Sequence, residues 1–110
     1  MEIIHRSKVE SIQDVCWEIL ELYNSNNLSV SIAKITWKSD SHKHEIMEEV
    51  YFVLSGEWII YIDHESEKIE KWDLISIPKN KFHHIETKNN STIEILVITN
   101  PKFNKQDVIT

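Results

Sequence analysis

The chain has little glycine, proline and cysteine, and each shortage narrows what the protein can be. Among its 110 residues there are one Gly, two Pro and one Cys. A single cysteine excludes an intramolecular disulfide and zinc sites built from several cysteines, so imidazole and carboxylate groups are the metal ligands available. With so little glycine and proline, tight turns depend on Asn, Asp and Ser, which tolerate left-handed backbone or hydrogen-bond to their own turns.

The charge distribution and the short apolar runs exclude two classes of partner. The net charge is −6, and the Lys and Arg residues are scattered singly, so the basic patch that nucleic-acid binding requires is missing. No window approaches the ~20 apolar residues that span a membrane, and the N-terminus does not resemble a secretory signal. We therefore expect a cytoplasmic protein that binds neither nucleic acid nor a membrane.

The length predicts one domain over residues 1–110, because a chain of this size has room for a single core. Within it we distinguish an N-terminal arm, residues 1–28, a β-barrel core, residues 29–100, and a C-terminal tail, residues 101–110. No linker or repeat divides the chain.

The N-terminal arm carries the one predicted helix, over residues 11–23. Its apolar side chains recur every three or four positions, and Ser11 with Asp14 resembles an N-terminal cap. Cys16 lies on this apolar stripe, which predicts a packing role for it. The stripe consists of Ile12, Val15, Cys16, Ile19, Leu20, Leu22 and Tyr23.

After residue 28 the apolar period changes to two. Short alternating segments separated by turn residues at intervals of about 8 to 12 predict an all-β sandwich or barrel. The predicted strands are residues 29–37, 50–54, 57–62, 68–71, 74–77, 82–88 and 92–99.

Residues 50–54 and 58–62, in two of these strands, are apolar on both faces, whereas a sheet with one face in water alternates cleanly. Something should therefore cover the outer face. The helix over 11–23 could do so, and so could a second copy of the chain in a homodimer. A monomer that exposes a few aromatic side chains is the remaining alternative.

Four side chains are candidate metal ligands. His42 and His44 lie two apart in an extended segment, so both imidazoles point to one face. Glu49 occupies one of the alternate positions of the following strand whose side chains point inward. His83 also occupies an inward-pointing position of its strand, whereas His84 lies on the polar, outward face. An H-x-H pair alone is common on exposed strands, but its combination with Glu49 and His83 predicts a metal site.

The chemistry of these groups predicts which ions they bind. An ionised glutamate buried without a partner is prohibitively costly, and a divalent cation removes that cost. Three imidazoles and one carboxylate suit first-row ions such as iron, manganese, nickel, cobalt, copper or zinc, and they leave positions open for water or substrate. Three aromatic side chains could line the pocket, although aromatics on strands are more often core: Tyr51, Trp37 and Phe82.

The same residues carry a resemblance to a known family. His42, His44, Glu49 and Gly56 resemble the first motif of small single-domain cupins, and the second motif resembles the run from Trp72-Asp73 through Pro78 to His83. The resemblance covers roughly residues 29–100 and retains all four ligand positions. The chain departs from the motifs at turn positions, where glycine or asparagine is replaced by Thr36, Trp72, Asn80 and Thr87.

The resemblance implies an RmlC-like jelly roll, a double-stranded β-helix barrel that is commonly dimeric and holds a metal near one mouth. It also implies a metal-dependent enzyme acting on a small polar or oxygenated substrate, as a dioxygenase, isomerase, epimerase or lyase. The alternatives are a noncatalytic protein that binds a sugar-like or anionic ligand in the barrel, and a structural protein with a vestigial site.

Overall fold

A computed structural model describes residues 1–13, 17–87 and 91–110 of the chain. These residues form nine β-strands and two short 3-10 turns, at Arg6–Lys8 and Lys105–Asp107. No helix among them has the length and apolarity that a membrane span requires. The strands are β1 (Ile12–Gln13), β2 (Trp17–Asn24), β3 (Ser29–Thr36), β4 (Glu48–Ser55), β5 (Trp58–Ile62), β6 (Glu65–Ile69), β7 (Leu74–Ile77), β8 (His83–Thr87) and β9 (Thr92–Asn100).

The strands form two antiparallel sheets. The larger has the order β1-β2-β3-β9-β4-β7 and the smaller the order β6-β5-β8. In the larger sheet β9 lies between β3 and β4, so the last strand of the barrel pairs with two of the earliest. This arrangement confirms the predicted all-β fold, a double-stranded β-helix of the jelly-roll type.

The core fills the space between the two sheets with β-branched and aromatic side chains. One row of paired core positions runs across the larger sheet from β2 through β3 and β9 to β4. In that order, it consists of Ile19, Ala33, Ile95 and Val53. Trp58 of β5 is buried opposite them. The alternation predicted after residue 28 reflects this burial of one face of each strand.

The predicted helix over residues 11–23 is wrong, because Ile12–Gln13 and Trp17–Asn24 are β-strands. Trp17–Asn24 pairs along its length with β3, and Asp14, Val15 and Cys16 lie outside the described residues. The register of β2 shifts between Glu21 and Tyr23, so Leu20 and Tyr23 share the outer face three positions apart. A bulge in a strand that is apolar on both faces therefore imitates helical spacing.

The turns use left-handed backbone at five described positions, only one of which is glycine. At Gly56, φ is 96°, and a Cβ atom would lie 2.8 Å from the carbonyl oxygen of Thr92, so no side chain fits. Trp72 has φ 75°, which is unusual for a bulky residue, and its ring packs 5.9 Å from that of Phe52. The other positions are Trp37, Asp63 and Asn80.

The outer face of the larger sheet is apolar across five strands. One row of paired positions crosses this face, and its side chains point away from the core. The row consists of Leu20, Ile32, Leu96, Phe52 and Leu74. Since β2 belongs to the sheet, it does not lie over this face as the predicted helix would have done.

Candidate metal centre

The H-x-H segment is held between two other parts of the chain. His42 exchanges two backbone hydrogen bonds with His83 of β8, at 3.1 and 2.9 Å. Lys43 exchanges two with Ile109, at 2.9 and 3.0 Å. Glu49 enters from β4 in the other sheet, so the topology brings residues that are distant in sequence to one place.

The structure brings all four predicted ligand residues together. One ligand atom from each lies within 4.8 Å of the others. Two ligands on opposite sides of a metal ion would be about 4.2 Å apart, given bonds of about 2.1 Å. The group is therefore close to the size that one ion requires, and its members are buried: His42 is 7% exposed, His44 3%, Glu49 4% and His83 1%.

The three imidazoles share one protonation pattern. In each ring Nδ1 is hydrogen-bonded to a backbone carbonyl oxygen, which can only accept, so Nδ1 carries the proton. In the neutral ring Nε2 then presents a lone pair, which is how metal-binding histidines are oriented. The distance from Nδ1 to the carbonyl oxygen is 2.8 Å for His42 and Asp40, 2.9 Å for His44 and Asp107, and 3.1 Å for His83 and Lys81.

Polar atoms at the centre of the group lack partners. Nε2 of His44, Nε2 of His83 and Oε1 of Glu49 are buried and make no hydrogen bond within the described part of the chain. Buried polar groups are rarely left in this state, because the cost is about 1–3 kcal/mol each. A divalent cation would satisfy all three atoms, so the residues present fit such an ion.

The group favours an ionised Glu49. Burial opposes ionisation of Glu49, but its interactions with His44, His83 and Tyr51 outweigh burial and lower its pKa to about 2. A carboxylate with this pKa is negatively charged at neutral pH, as a metal ligand must be.

The pKa values of two of the histidines are shifted in opposite directions. Burial is the main cause of the lowered pKa of His42. Burial also acts to lower the pKa of His44, but the neighbouring Glu49 carboxylate outweighs it and raises that pKa. His42 therefore loses its proton more readily than His44 does.

The predicted pocket-lining residues lie in different environments. Tyr51 is buried on the same face of β4 as Glu49, with its ring 6.2 Å from that of His83. Burial, together with the charge of Glu49 and a hydrogen bond to it, raises the pKa of Tyr51 well above its ordinary value. Trp37 and Phe82 are exposed, at 55% and 40%. Their role as pocket lining stays a prediction.

Two buried polar residues of this region were missed from the sequence. Thr99 lies opposite Glu49 in the β9–β4 pairing, and its buried hydroxyl has no hydrogen-bond partner among the described residues. Asp107 accepts the Nδ1 proton of His44 through its carbonyl oxygen. Thr99 could have been found from its parity in an alternating strand. Nothing in the sequence around Asp107 indicates its contact with a residue 63 positions away.

Comparison with known proteins decides the family. A family model described as the cupin domain matches residues 29–99, most of the barrel. The chain belongs to the cupin family. A curated relative of this cupin, the uncharacterized protein MJ1618 of Methanocaldococcus jannaschii, is 32% identical over 81 residues, or 74% of the chain. The matched stretch covers 65% of the length of MJ1618.

Solved structures share the fold of this cupin at low sequence identity. Pac13 of Streptomyces, described as a nucleoside dehydratase, is 18% identical, with a TM-score of 0.77 over 98% of this chain and 88% of Pac13. A predicted oxalate decarboxylase of Thermotoga maritima is 21% identical, with a TM-score of 0.80 over 91% of this chain and 99% of that protein. At these identities the likeness shows the fold alone.

Proposed function

We propose that this cupin binds one divalent transition metal ion through His42, His44, Glu49 and His83, and that it is an enzyme acting on a small oxygenated organic substrate. The observation that carries the proposal is the common orientation of the three imidazoles. Each Nδ1 proton is held by a carbonyl oxygen, and one ligand atom from each of the four buried residues lies within 4.8 Å of the others.

When bound, the ion would supply Lewis-acid chemistry or activate dioxygen, depending on which metal it is. The chain itself supplies a buried proton near the ligands, because the raised pKa of Tyr51 keeps its hydroxyl protonated at neutral pH. The hydroxyl is hydrogen-bonded to Glu49, so Tyr51 would help to orient that carboxylate as a metal ligand.

The named neighbours support an enzymatic role over simple ligand binding. Pac13 is described as a dehydratase, and the Thermotoga protein as a predicted oxalate decarboxylase. Dehydration and decarboxylation both act on oxygen-rich compounds, which can present oxygen ligands to a metal ion. We propose the same broad substrate class here, without choosing among lyase, isomerase and oxygenase reactions.

Metal analysis tests the proposal directly. Protein purified without chelators or added ions should contain about one transition metal ion per chain, as a four-ligand site requires. His83→Ala should remove most of that metal. His84→Ala is the matched control, since His84 is on the same strand but stacks on Tyr61, 4.6 Å between ring centres. Equal metal content in His83→Ala and wild type would contradict the assignment.

We also propose that the protein is a homodimer that buries the outer face of the larger sheet. The support is the apolar row that ends at Leu74, which is 64% exposed, together with the exposed Trp72 beside Phe52. Leu20 and Ile32 of this row are already buried within one chain, 8% and 4% exposed, so the apolar surface open to a second copy lies at the β4–β7 end, around Phe52, Trp72 and Leu74. An exposed apolar surface of this kind is typical of a subunit interface. The helix considered as the alternative cover is a strand of the sheet itself.

A further inference from the structure

The C-terminal segment, residues 104–109, forms one wall of the metal centre. Through Ile109 it pairs with Lys43, on the side of the H-x-H segment opposite β8. The N-cap of its 3-10 turn, Lys105–Asp107, is Asn104, whose side chain accepts a hydrogen bond from the N–H of Gln106. This turn presents Asp107 to the loop that joins His44 to β4.

Asp107 makes an unusually large set of contacts for a tail residue. It is 4% exposed, and its carboxylate accepts hydrogen bonds from three consecutive backbone N–H groups. The distances are 3.0 Å from Glu45, 3.2 and 3.1 Å from Ile46 to the two oxygens, and 2.8 Å from Met47. Its own carbonyl oxygen accepts the Nδ1 proton of His44 at 2.9 Å.

These contacts join two ligands of the proposed site. Residues 45–47 are the connection between His44 and β4, and Glu49 is the second residue of β4. Hydrogen bonds to a charged acceptor are among the stronger ones, and here they fix the conformation of that connection. One side chain and its own carbonyl group thus restrain the ring of His44 and the path to Glu49 at once.

We propose that Asp107 is a positioning residue for the metal centre, which sets the ring of His44 and the spacing between His44 and Glu49. The inference rests on the proposed metal-binding function. Outer partners of metal ligands commonly change metal affinity by about 10- to 100-fold when removed. By thermodynamic linkage, metal binding in turn stabilises the docked C-terminal segment.

Zn²⁺ binding to the full-length variant Asp107→Asn tests this role, measured by competition with a chromophoric chelator. Asn keeps the size of the side chain but loses the charge, and its amide nitrogen cannot accept an N–H. We expect the Kd for Zn²⁺ to rise by about 10-fold or more and the Co²⁺ absorption spectrum to change, since the spectrum reports ligand geometry. A folded variant with both readouts unchanged would overturn the proposal.

Asp73→Asn is the matched control. The Asp73 carboxylate also accepts a backbone N–H, from Glu70 at 2.9 Å, but in an exposed turn at the opposite end of β4 from Glu49. We expect its Kd for Zn²⁺ to stay within about twofold of wild type, because it contacts no ligand residue. Equal losses in Asp73→Asn and Asp107→Asn would also refute a specific positioning role.

Amide hydrogen exchange on wild-type protein provides a test that does not depend on a folded variant. Adding Zn²⁺ should slow exchange of the amides of Glu45, Ile46, Met47 and Ile109 together, because metal and tail stabilise each other. Slower exchange confined to other amides would refute the coupling. Wild type that takes up no Zn²⁺ would refute this inference and the proposed function, whereas wild-type binding with an unaffected Asp107→Asn refutes the inference alone.

Discussion

Nε2 of His83 lies 3.3 Å from Oε1 of Glu49, yet neither atom forms a hydrogen bond within the described residues. Both atoms are buried, and leaving such groups unsatisfied costs about 1–3 kcal/mol each. Nε2 of His44 is in the same state, 3.4 Å from the other oxygen of Glu49. A cation placed among these atoms would recover that cost, so metal should stabilise the fold as well as enable chemistry.

Metal removal should therefore lower the thermal stability of the protein. At a free Zn²⁺ concentration about 100-fold above its Kd, binding adds about 2.7 kcal/mol to the free energy of unfolding. For a domain of this size we expect the Tm to rise by roughly 10 °C relative to chelator-treated protein. Scanning calorimetry measures this shift. His44→Ala should abolish it, and a full shift in that variant would place the ion elsewhere.

Glu49 should make the stability of the metal-free protein pH-dependent. Its pKa is lowered from 4.5 to about 2, so its stabilising contribution is complete above pH 4.5 and is lost as pH falls through about 2. The free energy of unfolding should fall by about 3 kcal/mol over this pH range. Chemical denaturation of chelator-treated protein between pH 5 and 2 measures it. Glu49→Gln should have a shallower dependence, and identical slopes in the two proteins would show that Glu49 is not ionised in the fold.

Gly56→Ala should destabilise the protein by about 3 kcal/mol. A Cβ atom there meets backbone, 2.8 Å from the oxygen of Thr92 and 3.0 Å from Cα of Ile93, and the left-handed conformation adds strain. Urea denaturation compares this variant with Ser55→Ala, which alters an exposed neighbour in the same turn region. A loss below about 1 kcal/mol for Gly56→Ala would mean that the turn relaxes to accept a side chain.

Leu74→Glu should convert the proposed dimer to a monomer. A charge placed on the apolar row would be buried in the interface without a partner, which is costly. Sedimentation velocity at micromolar concentration should show dimers of the wild type and monomers of Leu74→Glu. Ile46→Glu is the control, because it adds the same charge at an exposed apolar side chain in a turn. Monomeric wild type would contradict the dimer.

Most strands of the barrel could be predicted from alternation, because each buries one face and exposes the other. Leu74–Ile77 was predicted to the residue, and β3, β4, β5, β8 and β9 to within one or two residues at each end that the structure describes. β2 was missed because it is apolar on both faces and shifts register near Leu22. Its pairing with β3 is a nonlocal interaction that the local pattern does not contain.

The four residues of the candidate site could also be selected from parity. In extended segments, His42 and His44 point to the same face, whereas His83 and His84 point to opposite faces. Glu49 shares the inward face with Tyr51. The four side chains lie close together because the side-chain period of a strand is two residues and all four residues lie in extended segments. Asp107 could not be selected in this way, since it lies in a short turn without periodicity.

The amino-acid sequence alone determined the cupin barrel and the identity of the four convergent residues, because local alternation and short motifs carry that information. Only the tertiary structure decided what surrounds them. It placed the carbonyl of Asp107 on His44, brought Thr99 opposite Glu49 and put β2 within the sheet rather than over it. These relationships depend on strand order and chain crossing, which act between residues distant in sequence and leave no local pattern.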